Sequence, residues 1–131
     1  MLIALSGGSP REREAIAARL IGSGKAGLQV YSQPAPNSRS AYRRVALLRK
    51  AMQGASLRSQ VKGTVIAHCL TEPEARLVRD LGGVVWHLYS RPSAEVVIRN
   101  GDPVVIDGDH GAGHLLAPLE ALSELMLAKA G

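Results

Sequence analysis

The residues with the clearest capacity for chemistry lie in a glycine-rich turn near the start of the chain. Gly7 and Gly8 follow a short apolar segment, Leu2 to Leu5, and precede Ser9-Pro10-Arg11-Glu12. The apolar segment predicts a buried strand, and the serine and proline predict the start of a helix. Because the amides of a glycine-rich turn converge with those of a helix N-terminus, a turn in this position favours binding of a phosphate group.

The same residues also predict a structure that needs no ligand. Ser9-x-x-Glu12 is a capping box, in which the Ser9 hydroxyl accepts from the third helical amide and Glu12 reaches back. Glu12 and Glu14 place two negative charges near the phosphate position, and each close charge repels a polyphosphate by about 1 kcal/mol or more. The helix dipole contributes only about 0.3 to 1 kcal/mol in the opposite direction. We therefore expect a self-capped helix in preference to an ATP-binding turn, with Arg11 and Arg13 offsetting part of the repulsion.

Composition limits the classes of protein that remain. The chain has 131 residues, of which 46% are hydrophobic, and its single cysteine, Cys69, excludes an internal disulfide. We expect one domain spanning residues 1–131, with no membrane span or secretion signal and hence a cytoplasmic location. Only 3% of the residues are aromatic and none is Phe, which disfavours an RNA-binding platform of exposed rings.

Positive charge is concentrated in the first half of the chain. Of the net charge of +5, residues 1–60 contribute +8, from ten basic and two acidic side chains, and the remainder contributes −3. This asymmetry predicts either a phosphate-bearing partner or a solvated basic face. Guanidinium groups suit phosphate oxygens, and the best placed are those of Arg39, Arg43, Arg44 and Arg58. Sequence-specific DNA binding is less favoured, because no helix-turn-helix spacing is evident.

Strand and helix patterns alternate along the chain. Besides Leu2 to Leu5, strand patterns cover Leu28–Tyr31, Thr64–Ala67, Val84–Tyr89 and Val104–Asp107. This alternation predicts an α/β fold with three αβα layers around a mainly parallel, five-stranded sheet. Ligands are then expected outside the carboxyl ends of the strands.

Amphipathic patterns predict the helices between and after these strands. The second helix carries apolar residues every three or four positions and is expected to end at a Gly54 C-cap. A third helix begins with the capping box Thr71-x-x-Glu74, and its apolar stripe includes Leu81. The closing helix is marked by Leu115, Leu119, Leu122 and Met126.

Three further constellations favour structural interpretations. Gly22-Ser23-Gly24-Lys25 follows a helix, the reverse of the context of a phosphate loop, and is interpreted as a turn. His68 and Cys69 end a strand, but no base for the thiol is evident, so a buried Cys69 is expected. Three interspersed glycines favour a mobile loop over a metal site for Asp107, Asp109, His110 and His114.

The glycine-rich turn departs from the P-loop motif G-x-x-x-x-G-K-[ST] at three positions. When Gly7 is aligned with the first glycine, Glu12 stands at the second glycine and Arg13 at the lysine. Glu14 stands at the hydroxyl residue that binds magnesium. Phosphoryl transfer depends on these groups to position and neutralise the triphosphate, so their loss predicts weak transfer or none.

Segments across nearly the whole chain resemble the deoxynucleoside monophosphate kinase-like P-loop proteins of phages and prophages. They are Leu48–Gly54 with Arg58, Val65–Ala75, Leu81–Trp86, Arg91-Pro92, Asp107-Gly108 and Leu115–Leu119. The first resembles that family's leucine-glutamine-glycine-arginine element near the acceptor nucleotide, and Arg91-Pro92 resembles the start of its lid. Within this resemblance, the expected strand-end aspartate falls on His68 and an expected arginine falls on Leu70. The chain is also shorter than such kinases.

The resemblance implies a P-loop nucleotide-kinase fold of reduced size that binds a nucleotide or phosphate with impaired ATP-dependent phosphoryl transfer. If transfer survives, it implies ATP and Mg²⁺ as cofactors, with Arg13 on the donor phosphates. No metal-ligating residue is implied. The binding residues implied are Gly7, Gly8, Ser9, Arg11, Arg13, Arg43, Arg44, Arg58 and Arg91. The alternative is a non-catalytic module that binds a host protein or, with less support, nucleic acid through the basic helix.

Overall fold

Strands and helices alternate along the chain in the computed structural model, which describes residues 1–33, 41–56, 62–108, 111, 113 and 115–130. The strands are β1 (Leu2–Ser6), β2 (Leu28–Tyr31), β3 (Gly63–Ile66), β4 (Val84–Leu88), β5 (Val104–Val105) and β6 (Leu115–Leu116). The helices are α1 (Pro10–Gly22), α2 (Ala41–Ser56), α3 (Glu72–Asp80) and α4 (Pro118–Ala130).

The described strands form one sheet in the order β2-β3-β1-β4-β5-β6, and all neighbours pair in parallel. The predicted α/β class with a mainly parallel sheet is therefore confirmed, whereas the predicted count of five strands is wrong. The sixth strand consists of Leu115 and Leu116, which pair with β5 and do not belong to the closing helix. That helix begins later because Pro118 suits a first helical position and the Glu120 carboxylate accepts from the Ala117 amide.

Helices cover both faces of the sheet. On one face α1 and α4 pack together, and Leu20 and Leu122 are buried against Trp86. On the other face α2 and α3 pack together, with Leu48 and Val78 in a second buried cluster. Successive strand residues point to opposite faces, so each strand contributes to both cores. None of the helices in the described ranges has the length and apolar character needed to cross a lipid bilayer.

The strand order places a crevice between β1 and β3. The connection through α1 runs from β1 towards β2, whereas the connection through α3 runs from β3 across β1 to β4. Open α/β sheets bind ligands where connections diverge in this way, outside the carboxyl ends of the strands. Here Gly7 and Gly8 follow β1, and His68 lies just after β3. In this sheet β3 separates β1 from β2, unlike the Rossmann order, in which β2 is next to β1.

Two predicted helix features differ in the structure. Gly54 lies within α2, which continues to Ser56, so the predicted C-cap at Gly54 is wrong. A glycine inside a helix costs only about 1 kcal/mol relative to alanine, which the packing of the helix can offset. Leu81 is the C-cap of α3 and is 51% exposed, so it lies outside the buried stripe of that helix.

Candidate functional site

The N-terminus of α1 forms the predicted capping box. The Ser9 hydroxyl accepts from the Glu12 amide at 3.1 Å, and Glu12 Oε1 accepts from the Ser9 amide at 3.1 Å. Pro10 occupies the first helical position and has no amide hydrogen to donate. The chain's own oxygen atoms therefore bind amides that would otherwise face a phosphate.

Residues 89–93, here called the strap, close over the same turn. The Gly8 amide donates to the Arg91 carbonyl at 2.6 Å, and the Ser90 hydroxyl donates to Glu12 Oε2 at 2.7 Å. The Ser90 hydroxyl lowers the pKa of Glu12, and the Ser9 amide lowers it further, so the carboxylate stays ionised in this position. Together the strap and the capping box use the amides of Gly8, Ser9 and Glu12.

Contacts within the chain account for both glycines of the turn. Gly7 has a φ of +84°, and a Cβ atom there would lie 2.5 Å from the Arg91 carbonyl oxygen. Gly8 has a φ of +63°, and a Cβ atom there would lie 2.5 Å from a methyl carbon of Leu88. Residues with side chains rarely adopt such φ values. The turn therefore needs glycine for its own packing, whether or not a phosphate approaches.

Arg13 points into the crevice and binds the protein itself. The residue is only 4% exposed. Its Nε atom donates to Nδ1 of His68 at 3.0 Å, and Nη1 donates to the carbonyls of Gly7 at 2.6 Å and Gly8 at 3.1 Å. The cation at the predicted lysine position thus holds the backbone of the turn from inside. These hydrogen bonds all join Arg13 to the chain itself, and none of them directs the guanidinium to a donor phosphate.

His68 links Arg13 to a glutamate at the surface. Because Nδ1 of His68 accepts from Arg13, Nε2 carries the proton and donates to Glu14 Oε1 at 3.1 Å. The His68 side chain is 1% exposed, whereas that of Glu14 is 59% exposed. Burial lowers the pKa of His68, and the Arg13 cation lowers it further, which favours the neutral imidazole. Arg13, His68 and Glu14 therefore form one continuous hydrogen-bonded chain across the crevice, here called the crevice network.

Arg44, predicted to bind an acceptor phosphate, is buried between α2 and α3. The residue is 1% exposed, and its Nε donates to Glu74 Oε1 at 2.8 Å. Its Nη2 donates to the carbonyls of Gln33 at 2.7 Å and His68 at 3.1 Å. Thr71, the N-cap of α3, donates its hydroxyl to the same Glu74 oxygen. These bonds give Arg44 a structural position that joins β2, α2 and the segment after β3.

The remaining predicted arginines of the described residues are exposed and lie on three different elements. Arg11 is exposed on the first turn of α1, Arg91 is exposed on the strap, and Arg43 is exposed on α2. Arg11 and Arg91 thus belong to elements that flank the turn after β1, whereas Arg43 belongs to α2. Arg39 and Arg58 lie outside the described residues.

A cleft of about 420 Å³ lies outside the carboxyl end of β2, beside α2. Gln33 is 8% exposed, and its Nε2 amide donor has no hydrogen-bond partner within the part of the chain that the structure describes. The residues that line the cleft are Tyr31, Ser32, Gln33, Arg43, Leu47, Lys50 and Ala51. Two cations and a buried amide donor beside apolar atoms suit a small anionic ligand.

Arg43 was predicted to bind phosphate, whereas neither this cleft nor its other polar residues, Gln33 and Lys50, were predicted. The spacing of Arg43, Leu47 and Lys50 by four and three residues places them on one side of α2, which is a signal in the sequence. Gln33 lies two residues after the end of β2, a strand predicted with its observed bounds. Its burial, however, depends on contact with α2 and has no local signal.

The other constellations that the sequence raised do not form a reactive centre in the described ranges. Cys69 is fully buried, and burial raises the pKa of its thiol to about 12. Within those ranges, no group of three or more His, Cys, Asp or Glu side chains is placed to hold a metal ion. Asp107 is exposed, whereas Asp109, His110 and His114 lie outside the described residues.

The residues of the turn after β1 do not fit ATP with Mg²⁺. A P-loop offers unoccupied amides and a cation to the phosphates, and a serine or threonine hydroxyl to the metal. Here the amides are bound by Ser9, Glu12 and Arg91, and the cation is bound by His68. The strand-end position expected to carry an aspartate carries the buried His68 ring.

The fold and the site together define an α/β protein with a parallel sheet, a closed crevice and an open cleft beside it. Comparison of the chain with protein-family models, with curated proteins and with solved structures found no match. The function of the chain is therefore inferred from the geometry of the described residues.

Proposed function

We propose that this chain is a nucleotide-kinase-like domain that binds a phosphate-bearing ligand, such as a nucleotide, without transferring a phosphoryl group from ATP. One contrast supports the proposal. The hydrogen-bonding groups of the turn after β1 bind other parts of the chain, whereas the cationic cleft beside β2 is open. The resemblance to phage nucleotide kinases supports a nucleotide as the ligand.

The closed turn supports the absence of phosphoryl transfer. Transfer needs a cation and a metal ion on the donor phosphates, because catalysis consists mostly of positioning and charge neutralisation. To reach a phosphate, Arg13 would have to leave His68 and two carbonyl oxygens, and the strap would have to leave Gly8. Glu12 would then remain as an anion beside the incoming phosphate.

The cleft beside β2 supports ligand binding. Its volume lies in the range of sites for small molecules, and it opens at the carboxyl edge of the sheet, where ligands bind in this architecture. Lys50 and Arg43 supply positive charge, Gln33 supplies an amide donor, and Leu47 supplies apolar surface for the remainder of the ligand. An unsatisfied buried amide is costly, so a ligand oxygen that accepts from it would gain affinity.

Calorimetry with deoxynucleoside monophosphates, ADP and ATP with Mg²⁺ tests the proposal. We expect binding of at least one monophosphate, weakened about tenfold or more by Lys50→Ala or Gln33→Leu. Lys25→Ala removes an exposed charge outside the cleft and should leave binding unchanged. Arg11→Ala distinguishes the sites, because it should weaken binding only if the ligand enters the turn after β1.

A coupled phosphotransfer assay completes the test. We expect no turnover of ATP with any deoxynucleoside monophosphate. Turnover that depends on Arg13 would refute the proposed absence of transfer. Absence of binding by every nucleotide and by inorganic phosphate would refute the proposed ligand.

The outer face of α2 favours a second candidate function, docking of an acidic protein. Tyr42 is 85% exposed, and α2 carries four basic and no acidic side chains. A second cleft, of about 560 Å³, is lined by Tyr42, Val45, Ala46, Arg49, Lys50 and Gln53. Tyr42→Ala combined with Arg49→Glu should abolish capture of such a partner and leave nucleotide binding unchanged. Capture of nucleic acid alone, sensitive to salt, would contradict a protein partner.

A further inference from the structure

Residues 94–102, here called the flap, cross the α3 side of the sheet without forming a helix or strand. Val96 anchors the flap, since it is 3% exposed and packs in the core cluster shared by α2 and α3. The next two residues, Val97 and Ile98, are 58% and 48% exposed. The flap is therefore attached to the core through one apolar side chain and several polar bonds.

Two carboxylates supply most of these polar bonds. Glu72 of α3 accepts from the Val97 amide at 3.0 Å and from the Arg99 guanidinium at 3.3 Å. Asp102, at the end of the flap, accepts from Arg79 at 2.5 Å and from Nε2 of His87 at 2.7 Å. The same Asp102 oxygen accepts from the Arg99 amide at 2.9 Å. The flap is thus joined to α3 and β4 mainly by electrostatic contacts.

Close to the contacts of Asp102, three buried polar atoms have no hydrogen-bond partner among the described residues. They are Ser6 Oγ, Arg79 Nη1 and His87 Nδ1. Ser6 and His87 are register partners on β1 and β4, and both side chains lie on the α3 side, as those of Ala4 and Val85 do. Both residues are fully buried, and Asp102 of the flap contacts His87 directly. A buried polar group without a partner destabilises the state that buries it.

We propose that the flap opens as one unit while the rest of the domain stays folded, and that Ser6, Arg79 and His87 favour opening because they gain water as partners. The closed state keeps Val96 in the core and retains the bonds of Glu72 and Asp102. The open state loses these contacts and hydrates the three unpartnered atoms. This opening is independent of the proposed ligand in the cleft beside β2, since no residue of the flap lines that cleft.

Native-state hydrogen exchange of the full chain, followed by NMR in low concentrations of urea, tests the proposal. The Val97 amide reports opening directly, because its acceptor is the Glu72 carboxylate of α3. The Arg99 amide reports opening through Asp102, its acceptor within the flap, because that carboxylate is also bound by Arg79 and His87. We expect both amides to be at least about tenfold less protected than those of β1, with a weaker dependence on urea. A common urea dependence for the flap and β1 would show that only global unfolding opens it, and would refute the proposal.

Two variants test the cause of opening. Ser6→Ala removes one unpartnered hydroxyl and should slow exchange of both amides by about fivefold or more. Glu72→Gln, on the surface of α3, should speed exchange of both amides together. Unchanged exchange in Ser6→Ala, or faster exchange of Val97 alone in Glu72→Gln, would refute the proposal. Ser123→Ala in α4 is the matched control and should change neither amide.

Discussion

The Nε atom of Arg13 lies 3.0 Å from Nδ1 of His68, and this bond joins two positions that depart from the P-loop kinase pattern. The arginine stands where that pattern has a lysine, and the histidine stands where it has a strand-end aspartate. The two residues at these positions are therefore hydrogen-bond partners. The guanidinium at the position of the motif's lysine is thus held inside the crevice by the ring at the position where that pattern has an aspartate.

A lysine at position 13 should destabilise the fold without producing kinase activity. An ammonium group cannot reproduce the bonds that the Arg13 guanidinium makes to His68 and to the carbonyls of Gly7 and Gly8. We expect Arg13→Lys to lower the free energy of unfolding by about 2 kcal/mol, measured with urea. Arg11→Lys, on the exposed first turn of α1, should change it by less than about 0.5 kcal/mol. ATP turnover by Arg13→Lys would contradict this account of the crevice.

Stability should fall as the solution becomes mildly acidic because of His68. Burial and the Arg13 cation lower the pKa of His68 in the folded chain. In the unfolded chain the pKa of a histidine is about 6.5. The stabilisation from the neutral ring is thus complete above about pH 6.5 and is lost as the pH falls below it. The free energy of unfolding, measured with urea between pH 5.5 and 8, should decrease towards the acid end.

The variant His68→Gln separates this effect from other titrations. It should be less stable than the original chain at pH 8 and should lose less stability between pH 8 and pH 5.5. Carboxylates with lowered pKa values, such as Glu12 and Asp102, lose their contributions mainly below this range. Equal losses in the two proteins would show that His68 does not set the pH dependence.

Removal of Arg44 should destabilise the domain more than removal of any exposed arginine on α2. Arg44→Ala leaves the buried Glu74 carboxylate without its cation, and loss of one partner from a buried pair costs about 3 to 5 kcal/mol. Arg49→Ala, on the exposed side of the same helix, should change stability by less than about 0.5 kcal/mol. Thermal unfolding of both variants measures the difference. A stable Arg44→Ala variant with lost nucleotide binding would instead indicate a ligand contact.

Cys69 should not react with thiol reagents while the chain is folded. The residue is fully buried, and burial raises the pKa of its thiol to about 12, so the thiolate is scarce at neutral pH. An aromatic disulfide reagent at pH 8 should modify the thiol only after urea is added. Rapid modification of the native chain would mean that the segment after β3 opens readily.

Local patterns were sufficient for several elements of the fold. The pattern Leu28–Tyr31 predicts β2 with its observed bounds, because apolar strand residues between turn signals act over a few positions. The capping box of Ser9 and Glu12 is likewise a local interaction, and it forms as predicted. The two-residue strand β6 is too short to show a period, so its leucines resembled the start of a helix.

The interior of the candidate site could not be predicted in the same way. Arg13 points inward because His68, which lies 55 residues later, accepts its hydrogen bond. Arg44 is buried because Glu74 of α3 lies against α2. In both cases the position of a charged side chain depends on a partner that is distant in the sequence and that the fold brings close. The P-loop alignment, the clustered positive charge and the family resemblance take no account of such distant partners, so they placed these arginines at a phosphate.

The close approach of the strap to Gly7 affects how such turns should be compared between proteins. A methyl group at this position would strike the Arg91 carbonyl oxygen, at 2.5 Å. Selection for folding alone would then retain the glycine, whether or not the protein binds a nucleotide. A glycine-rich turn of this kind therefore indicates a constraint on the backbone and is not by itself evidence of catalysis.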